Sequence, residues 1–373
     1  MQNTNVQHIP GATQQRLTEA GCALIAAALM LVAMTSGALG QALLPPPPSV
    51  FSTIAPNGDV NPYGVAITAL HVLAGLTLQH DDVLVANFNN AANLQGTGTT
   101  IMRFDRGGHS SVFFQGPQGA SGLTAALGIV NRGFVFAGSL PTFDGTPATV
   151  SPGSLLVLDG DGNLIGQYAS TYIDGPWGMA IDDLGNVAHM FVSNVLNGTI
   201  TRLDVALPAG ALPVIHKATQ VGSGFNHRPD PAVLELGPSG LAYEAKNDAL
   251  YVASSADNAV YALTGALTAS ASLGSGQLVY QDSTHLHGPT QMTFAPNGDL
   301  LVANSDGSNA DPNQPSEIVE FTTGGQFVAQ FSVDPNLGGA FGVAAEKVGT
   351  RAIRMVTVDD DQNTLTSWTK ILP

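Results

Sequence analysis

Six times along this chain a tight turn delivers an apolar strand. The clearest copies are Asn61-Pro62-Tyr63-Gly64-Val65-Ala66, Gly175-Pro176-Trp177-Gly178-Met179-Ala180, Gly237-Pro238-Ser239-Gly240-Leu241-Ala242 and Gly288-Pro289-Thr290-Gln291-Met292-Thr293. Ser121-Gly122-Leu123-Thr124-Ala125 and Gly339-Ala340-Phe341-Gly342-Val343-Ala344 are weaker copies. Self-similarity every roughly fifty to sixty residues means one supersecondary unit made repeatedly, a unit that buries its apolar faces only against its neighbours.

Within a unit the order holds. After the first strand comes a turn such as Asp182-Asp183-Leu184-Gly185-Asn186 or Ala295-Pro296-Asn297-Gly298-Asp299, then a strand such as Val83-Leu84-Val85-Ala86 or Met190-Phe191-Val192-Ser193. A loop rich in Asn, Asp and Gly comes next, as at 87–90, 194–197, 254–258, 304–309 and 359–363. A third strand and a hairpin, for example Asp161-Gly162-Asn163, lead to a fourth. Four antiparallel strands joined by short turns are the blade of a β-propeller, so the fold class expected is all-β, a six-bladed β-propeller of four-stranded antiparallel blades. Composition agrees: 43 Gly, 23 Pro and only 11% charged residues suit short buried strands and turns rather than long solvated helices. Gly-Pro-x-Gly re-aims the chain from the outer strand of one blade to the inner strand of the next, and its small residues let inner strands crowd the axis.

The sixth unit ends after its third strand, at Trp368 to Pro373, while Ser49 to Ile54 is a strand with no blade of its own. If that strand completes the last blade, the ring closes and an exposed sheet edge disappears. The propeller then occupies residues 49–373.

The N-terminal part reads differently. Residues 22–39 form an uncharged apolar run, and Ala38-Leu39-Gly40 before Gln41 supplies small residues for a signal peptidase, so residues 1–40 are read as a signal peptide. The alternative is an uncleaved anchor, for which roughly 18 residues is the lower limit of a bilayer span; Thr35, Ser36, Gly37 and Gly40 weaken it. With only Arg16 ahead of the run there is no twin-arginine signal. The single cysteine, Cys22, lies inside this segment, so a cleaved protein carries neither disulfide nor thiol chemistry. Residues 41–48, ending in four prolines, form an extended linker. An exported protein, periplasmic or extracellular, is the expectation, with membrane contact only through an uncleaved N-terminus. The net charge of −16, from 12 basic and 28 acidic residues, argues against nucleic-acid binding.

The [GN]-P-x-G-[VML]-A start, the G-[ND] turn, the V-[AS]-N strand end and the Asn-rich loop of Ser193 to Asp204 resemble the NHL-repeat class of six-bladed propellers, related to the SMP-30/gluconolactonase-like fold. The resemblance covers nearly everything from Ser49 to Trp368 and specifies fold rather than activity. It implies that loops entering each inner strand and loops between second and third strands share one face around the channel. Tyr63, Asn87, Trp177, Asn194, His287, Asn304 and Asp306 are then expected to converge there as a ligand-binding face. It also implies a metal: lactonase-like relatives hold a divalent cation with Asn and acidic ligands, and Asn87, Asn194, Asn304 and Asp306 offer hard oxygens for calcium or another divalent cation. Those residue types equally suit turns that bond their own backbone, and Tyr63 stands where the family would supply a carboxylate.

Other constellations carry less. His285-Leu286-His287 would be a metal pair only with matching histidines at other blade entries, which are Tyr63, Trp177, Ser239 and Phe341 or their neighbours instead. Asp159 to Asn163 looks like the start of a calcium loop, but its Gly is misplaced and Ser170 stands where a bidentate Glu is needed; it is a hairpin turn. Gly153-Ser154 lacks the nucleophile-elbow pattern. The expected function is therefore a monomeric module binding a protein, glycan or small molecule through the channel face, with no catalytic residue assigned. The alternative is an SMP-30-like metal-dependent hydrolase or lactonase using Asn194, Asn304 and Asp306, and a purely structural cell-surface protein is a third reading.

Overall fold

The computed structural model describes residues 48–68, 75–117, 121–305, 312–313 and 315–371. The proposed signal segment, most of the linker, His71 and Asp306 lie outside them. The chain divides into a unit of residues 1–41 and a unit of residues 42–373, and the second unit holds every blade.

Six four-stranded antiparallel sheets succeed one another along the sequence. From axis to rim, blade 1 runs Val60–Ile67, Val83–Asn89, Thr100–Phe104, Ser110–Gln115, and blade 2 runs Leu123–Ile129, Val135–Ser139, Ser154–Leu158, Leu164–Tyr168. Blade 3 is Pro176–Asp183, Val187–Asn194, Thr199–Ala206, Val214–Gly222. Blade 4 is Pro238–Glu244, Ala249–Ser254, Ala259–Thr264, Gln277–Tyr280, and blade 5 is Pro289–Phe294, Leu300–Asn304, Glu317–Phe321, Phe327–Ser332. Blade 6 takes Ala340–Val348, Ala352–Asp359 and Thr364–Ile371 from the end of the chain and Ser49–Ser52 from its start. That outer strand pairs from Ser49 opposite Ser367 to Ser52 opposite Thr364, the closure expected from the sequence, and the joint leaves no open edge between first and last blades.

Period-2 alternation explains the packing. Along Val83–Asn89 every residue is buried, because Leu84 and Ala86 face blade 2 while Val83 and Val85 face blade 6. The same arrangement recurs between each pair of blades: Val192 and Leu203 meet Phe136 and Leu155, Phe191 and Ile200 meet Leu250 and Val252, Tyr251 and Val260 meet Leu300 and Val319, and Leu301 and Ile318 meet Met355 and Trp368. Burying such a side chain contributes about 1.5–3 kcal/mol, so the blades adhere through many moderate terms rather than one large core.

Innermost strands contact each other around the ring, and there space is shortest. A Cβ on Gly64 would lie 2.9 Å from the Thr124 carbonyl oxygen, one on Gly240 would lie 2.5 Å from the Met292 nitrogen, and one on Gly342 would lie 2.5 Å from the Tyr63 carbonyl oxygen. At Gly178 the Cβ would fall on the Ser239 carbonyl. The glycine of the repeated start is thus demanded by the neighbouring backbone. In blade 2 the same position is Ala125 and in blade 5 it is Gln291, whose Nε2 reaches across the axis to donate to the Ala125 carbonyl at 2.9 Å. Below the mouth the channel is crossed by a side chain.

One element was not expected. Between blades 3 and 4 a short hairpin, Arg228–Asp230 paired with Leu234–Leu236, turns through Ala232 and Val233. Leu234 sits in the left-handed region, φ 65°, an unusual conformation for leucine, and is fully buried in the same cluster as Tyr63, Trp177 and Phe341. The next residue, Glu235, is also buried, and burial followed by the Asp230 charge pushes its carboxyl up to about 7.

Two outcomes are expected. Gly178→Ala should lose about 1–3 kcal/mol in a denaturant melt, because the intruding methyl meets a carbonyl that cannot yield. Gly166→Ala, whose Cβ would stand 3.7 Å from the Val157 Cβ in an ordinary contact, should stay within about 0.5 kcal/mol; equal losses would show that crowding is not the cause. Because Glu235 is raised in the fold, its contribution is present below its ordinary pKa and is lost as pH climbs through about 7. Glu235→Gln should therefore match the parent protein at pH 4 and exceed it by about 1–3 kcal/mol at pH 8. A difference that does not change with pH would show that the carboxyl is not held neutral.

Candidate functional site

The residue after the turn in each repeated start points toward the mouth of the channel or toward the next blade, and its chemistry divides the ring. In blades 1, 3 and 6 it is aromatic: Tyr63, Trp177 and Phe341. Tyr63 stacks on Phe341 with centroids 3.6 Å apart and on Phe88 at 4.6 Å, and Trp177 meets Phe88 edge-on at 5.4 Å. With Leu234 they plug the mouth, a packing worth more than its area because offset and edge contacts suit the ring quadrupoles. In blades 2, 4 and 5 the position carries a hydroxyl that ties one blade to the next: Thr124 Oγ1 donates to the Pro176 carbonyl at 2.7 Å, Ser239 Oγ to Pro289 at 2.8 Å and Thr290 Oγ1 to Phe341 at 2.8 Å.

The strand-end asparagines are also committed. Opposite the repeated turn, the second strand carries Asn87, Ser139, Asn194, Ser254, Asn304 and Asp359 through blades 1 to 6, at its last residue in every blade but the first. Asn87 Nδ2 donates to the Thr53 carbonyl at 3.0 Å. Asn194 accepts from the Asp174 amide at 3.0 Å and donates to the Tyr172 carbonyl at 3.1 Å, and Asn304 donates to the His285 carbonyl at 2.6 Å. Each latches the loop that enters its own blade. The Oδ1 atoms of Asn87 and Asn304 have no partner but lie in the protein interior, whereas Asn194 is satisfied on both sides. His287 is buried, with Nε2 3.1 Å from the Thr284 carbonyl and 3.8 Å from Glu317 Oε1. Its neighbour His285 turns elsewhere, bonding Asp282 at 2.7 Å and stacking on Phe327, so the two imidazoles do not form a pair. The Asp159 to Asn163 segment is a hairpin turn in which Asp159 Oδ1 accepts the Asp161 and Asn163 amides. Among the described residues no three His, Cys, Asp or Glu side chains gather to hold a metal, and Asn194 Oδ1 already accepts the Asp174 amide. Asp306, the fourth oxygen ligand that the resemblance implies, lies outside the described residues.

Above the plug lies a recess of about 580 Å³. Its floor includes Tyr63 and Phe341; Asn89 and Gln95 come from the second strand and following loop of blade 1, Val233 from the tip of the hairpin, and Asp360 and Asp361 from the loop of blade 6. The hairpin is held over it by Gln95 Nε2, which donates to the Ala232 carbonyl at 3.2 Å. Asn61 is tied to the blade 6 loop, its amide donating to Asn363 Oδ1 at 2.7 Å.

In the sequence the acid side of the recess reads only as a polar loop. Asp359 replaces the amide or hydroxyl that ends the second strand elsewhere, accepts the Asp361 and Gln362 amides at 3.0 and 2.9 Å, and is pushed up to about 6 chiefly by burial. Burial first, then the neighbouring charges of Asp359 and Asp361, lift Asp360 well above the ordinary carboxylate range. Burial and Asp360 together raise the Tyr63 phenol, while Asn61 bonds its side chain. The signal for this site was present as a departure from the repeat: an acid where the other blades carry Asn or Ser. Of the residues expected on the channel face, Tyr63 alone lines the recess among those described; Trp177 lies in the plug beneath it, and Asn87, Asn194, His287 and Asn304 lie within the blades.

No protein-family model matches the chain, and no curated protein matches it in sequence. Solved structures match it in fold. A glucose dehydrogenase superposes with a TM-score of 0.50 at 14% identity, covering 87% of this chain and 100% of its own. A luciferin-regenerating enzyme gives 0.50 at 11% identity over 88% and 96%, and a gluconolactonase from Xanthomonas campestris gives 0.47 at 13% over 88% and 99%. At these identities the likeness is one of fold. The chain is a six-bladed β-propeller, as the repeat motif implied, and the solved structures that share its fold include a glucose dehydrogenase.

Proposed function

We propose that this protein is an exported binding module that holds a small polar ligand in the recess at the channel mouth. The observation that carries the reading is the convergence at one recess of features that depart from the blade pattern: an aromatic floor of Tyr63 and Phe341, the inserted hairpin at Val233, and the acid loop at Asp360 and Asp361. The aromatic floor and the apolar Val233 and Leu337 add contact area, the mixture usual for a ligand site.

A metal-dependent hydrolase needs oxygens converging beside an open coordination position. None of Asn87, Asn194 and Asn304 lines the recess, which supports binding over hydrolysis. Export is proposed on the apolar run at residues 22–39.

A thermal-shift screen of small polar compounds tests the reading, run in parallel on Ala91→Trp. Ala91 is exposed on the recess wall, so the indole obstructs the recess without removing a structural contact. A compound at 100 times its Kd should stabilise the parent protein by about 2.7 kcal/mol and leave the variant unmoved. Stabilisation that survives in the variant would place the ligand elsewhere and sink the proposal. Calcium content and melting before and after chelation separate the hydrolase reading: a stoichiometric ion whose removal lowers the melting temperature would revive it.

A further inference from the structure

We infer that a second pocket, between the loops of blades 1 and 2, binds a neutral sugar ring; it is separate from the mouth recess and does not rest on it. Its volume is about 530 Å³, within the range of small-molecule sites. The loop between the second and third strands of blade 1 serves both cavities: Asn89 and Gln95 line the recess, Asn90 and Leu94 the pocket. The corresponding loop of blade 2 contributes Phe143 and Ser151, and Asp59, just ahead of the inner strand of blade 1, lines it too.

Asp59 is 3% exposed and firmly held. Its Oδ2 accepts the Thr99 amide at 2.7 Å and the Thr99 and Thr100 hydroxyls at 2.9 and 2.6 Å. Its Oδ1 meets no donor among the described residues, yet unlike the orphaned oxygens of Asn87 and Asn304 it is not sealed from solvent. Asn90 is fixed with the opposite polarity. Its Oδ1 accepts the Ala92 and Leu94 amides at 2.9 and 3.2 Å, and its Nδ2, also open to solvent, donates to none of the described residues. A held acceptor and a held donor in one pocket suit neighbouring hydroxyls, one giving a hydrogen and the other taking one. No Lys, Arg or His lines the pocket among the described residues, so an anion finds no counter-charge there. Apolar surface narrows the class further. Phe143 is 90% exposed, more than any other large apolar side chain among the described residues, and its loop is braced: Thr149 Oγ1 accepts the Phe143 amide at 3.2 Å and donates to Asp144 at 2.6 Å, while Thr142 Oγ1 donates to the Gln95 carbonyl at 2.5 Å. Packing does not explain an aromatic ring held in water at the edge of a polar pocket. Its electron-rich face suits the C–H groups on one side of a pyranose, whose hydroxyls lie round the rim. An acyclic polyol lacks that fixed face, and a wholly apolar ligand would leave Asp59 and Asn90 unmet.

The test is calorimetric titration of the full-length protein with the methyl pyranosides of glucose, galactose and mannose, and with sorbitol as an acyclic control. At least one pyranoside is expected to bind with a millimolar Kd, about tenfold more tightly than sorbitol. Phe143→Ala should weaken that pyranoside about tenfold and leave the melting temperature unchanged, because so exposed a ring adds little to the fold. Asn90→Asp keeps an acceptor for the Ala92 and Leu94 amides but removes the donor, and should weaken it severalfold. Ala91→Trp, which obstructs the recess, should leave it unchanged. No binding by any pyranoside, sorbitol bound as tightly as the best of them, or an affinity that ignores Phe143→Ala or Asn90→Asp would overturn the assignment and leave the recess reading standing. An affinity abolished by Ala91→Trp would move the sugar to the recess, overturning the second pocket while supporting the first.

Discussion

Where the inner strands meet around the axis, backbone lies against backbone, and the molecule depends on that approach. Gly64, Gly178, Gly240 and Gly342 face a neighbouring strand at distances no side chain tolerates. The same closeness lets Thr124, Ser239 and Thr290 hydroxyls bond carbonyls of the next blade. Each such bond is worth only about 1 kcal/mol net, but a blade displaced outward would strand both partners in an interior without water. Crowding and satisfaction therefore enforce one another. The larger apolar interfaces between blades then add stability to a geometry the axis has already fixed.

A ring built this tightly has little room for chemistry along its axis. The aromatic positions of blades 1, 3 and 6 fill the mouth, and Gln291 crosses the channel to Ala125 below it. A ligand has to be met above the plug, by loops. Strand-end asparagines illustrate why: they stand in the right blade positions to face a ligand, yet the loop entering each blade carries backbone groups that must be bonded, and the asparagine side chain is the nearest donor. Structural need takes them first.

The fold was legible in the sequence because each physical requirement of a blade leaves a local mark. Turn glycines, the two-residue alternation and the strand without a blade at Ser49 to Ser52 all reported on constraints set by immediate neighbours. The site was only partly legible. Tyr63 belongs to it, but an aromatic after Gly-Pro or Asn-Pro reads alike whether it faces solvent or stacks between Phe88 and Phe341. Asparagine in a turn is equally mute about whether its amide holds a ligand or a loop. The hairpin at 228–236 left almost no trace, since Leu234 adopts its left-handed conformation against the preference of its residue type and is held there by burial.

Departures from the repeat proved more informative than its matches. Six equivalent positions would otherwise be filled alike, so a substituted position reports a demand the scaffold does not make. Gln291 in place of glycine ties opposite sides of the ring. Asp359 in place of asparagine or serine cannot donate to the loop entering its blade and instead accepts from the following one, which turns Asp360 and Asp361 into the wall of the recess. The inserted hairpin comes from the connection between blades 3 and 4 and ends over that same wall, held by Gln95 of blade 1. Gln291 closes the axis from below, while the acid loop and the hairpin, from separate parts of the chain, meet above it at one place. In a scaffold that is repetitive everywhere else, that meeting is the strongest physical reason to look for function at the recess rather than along the axis.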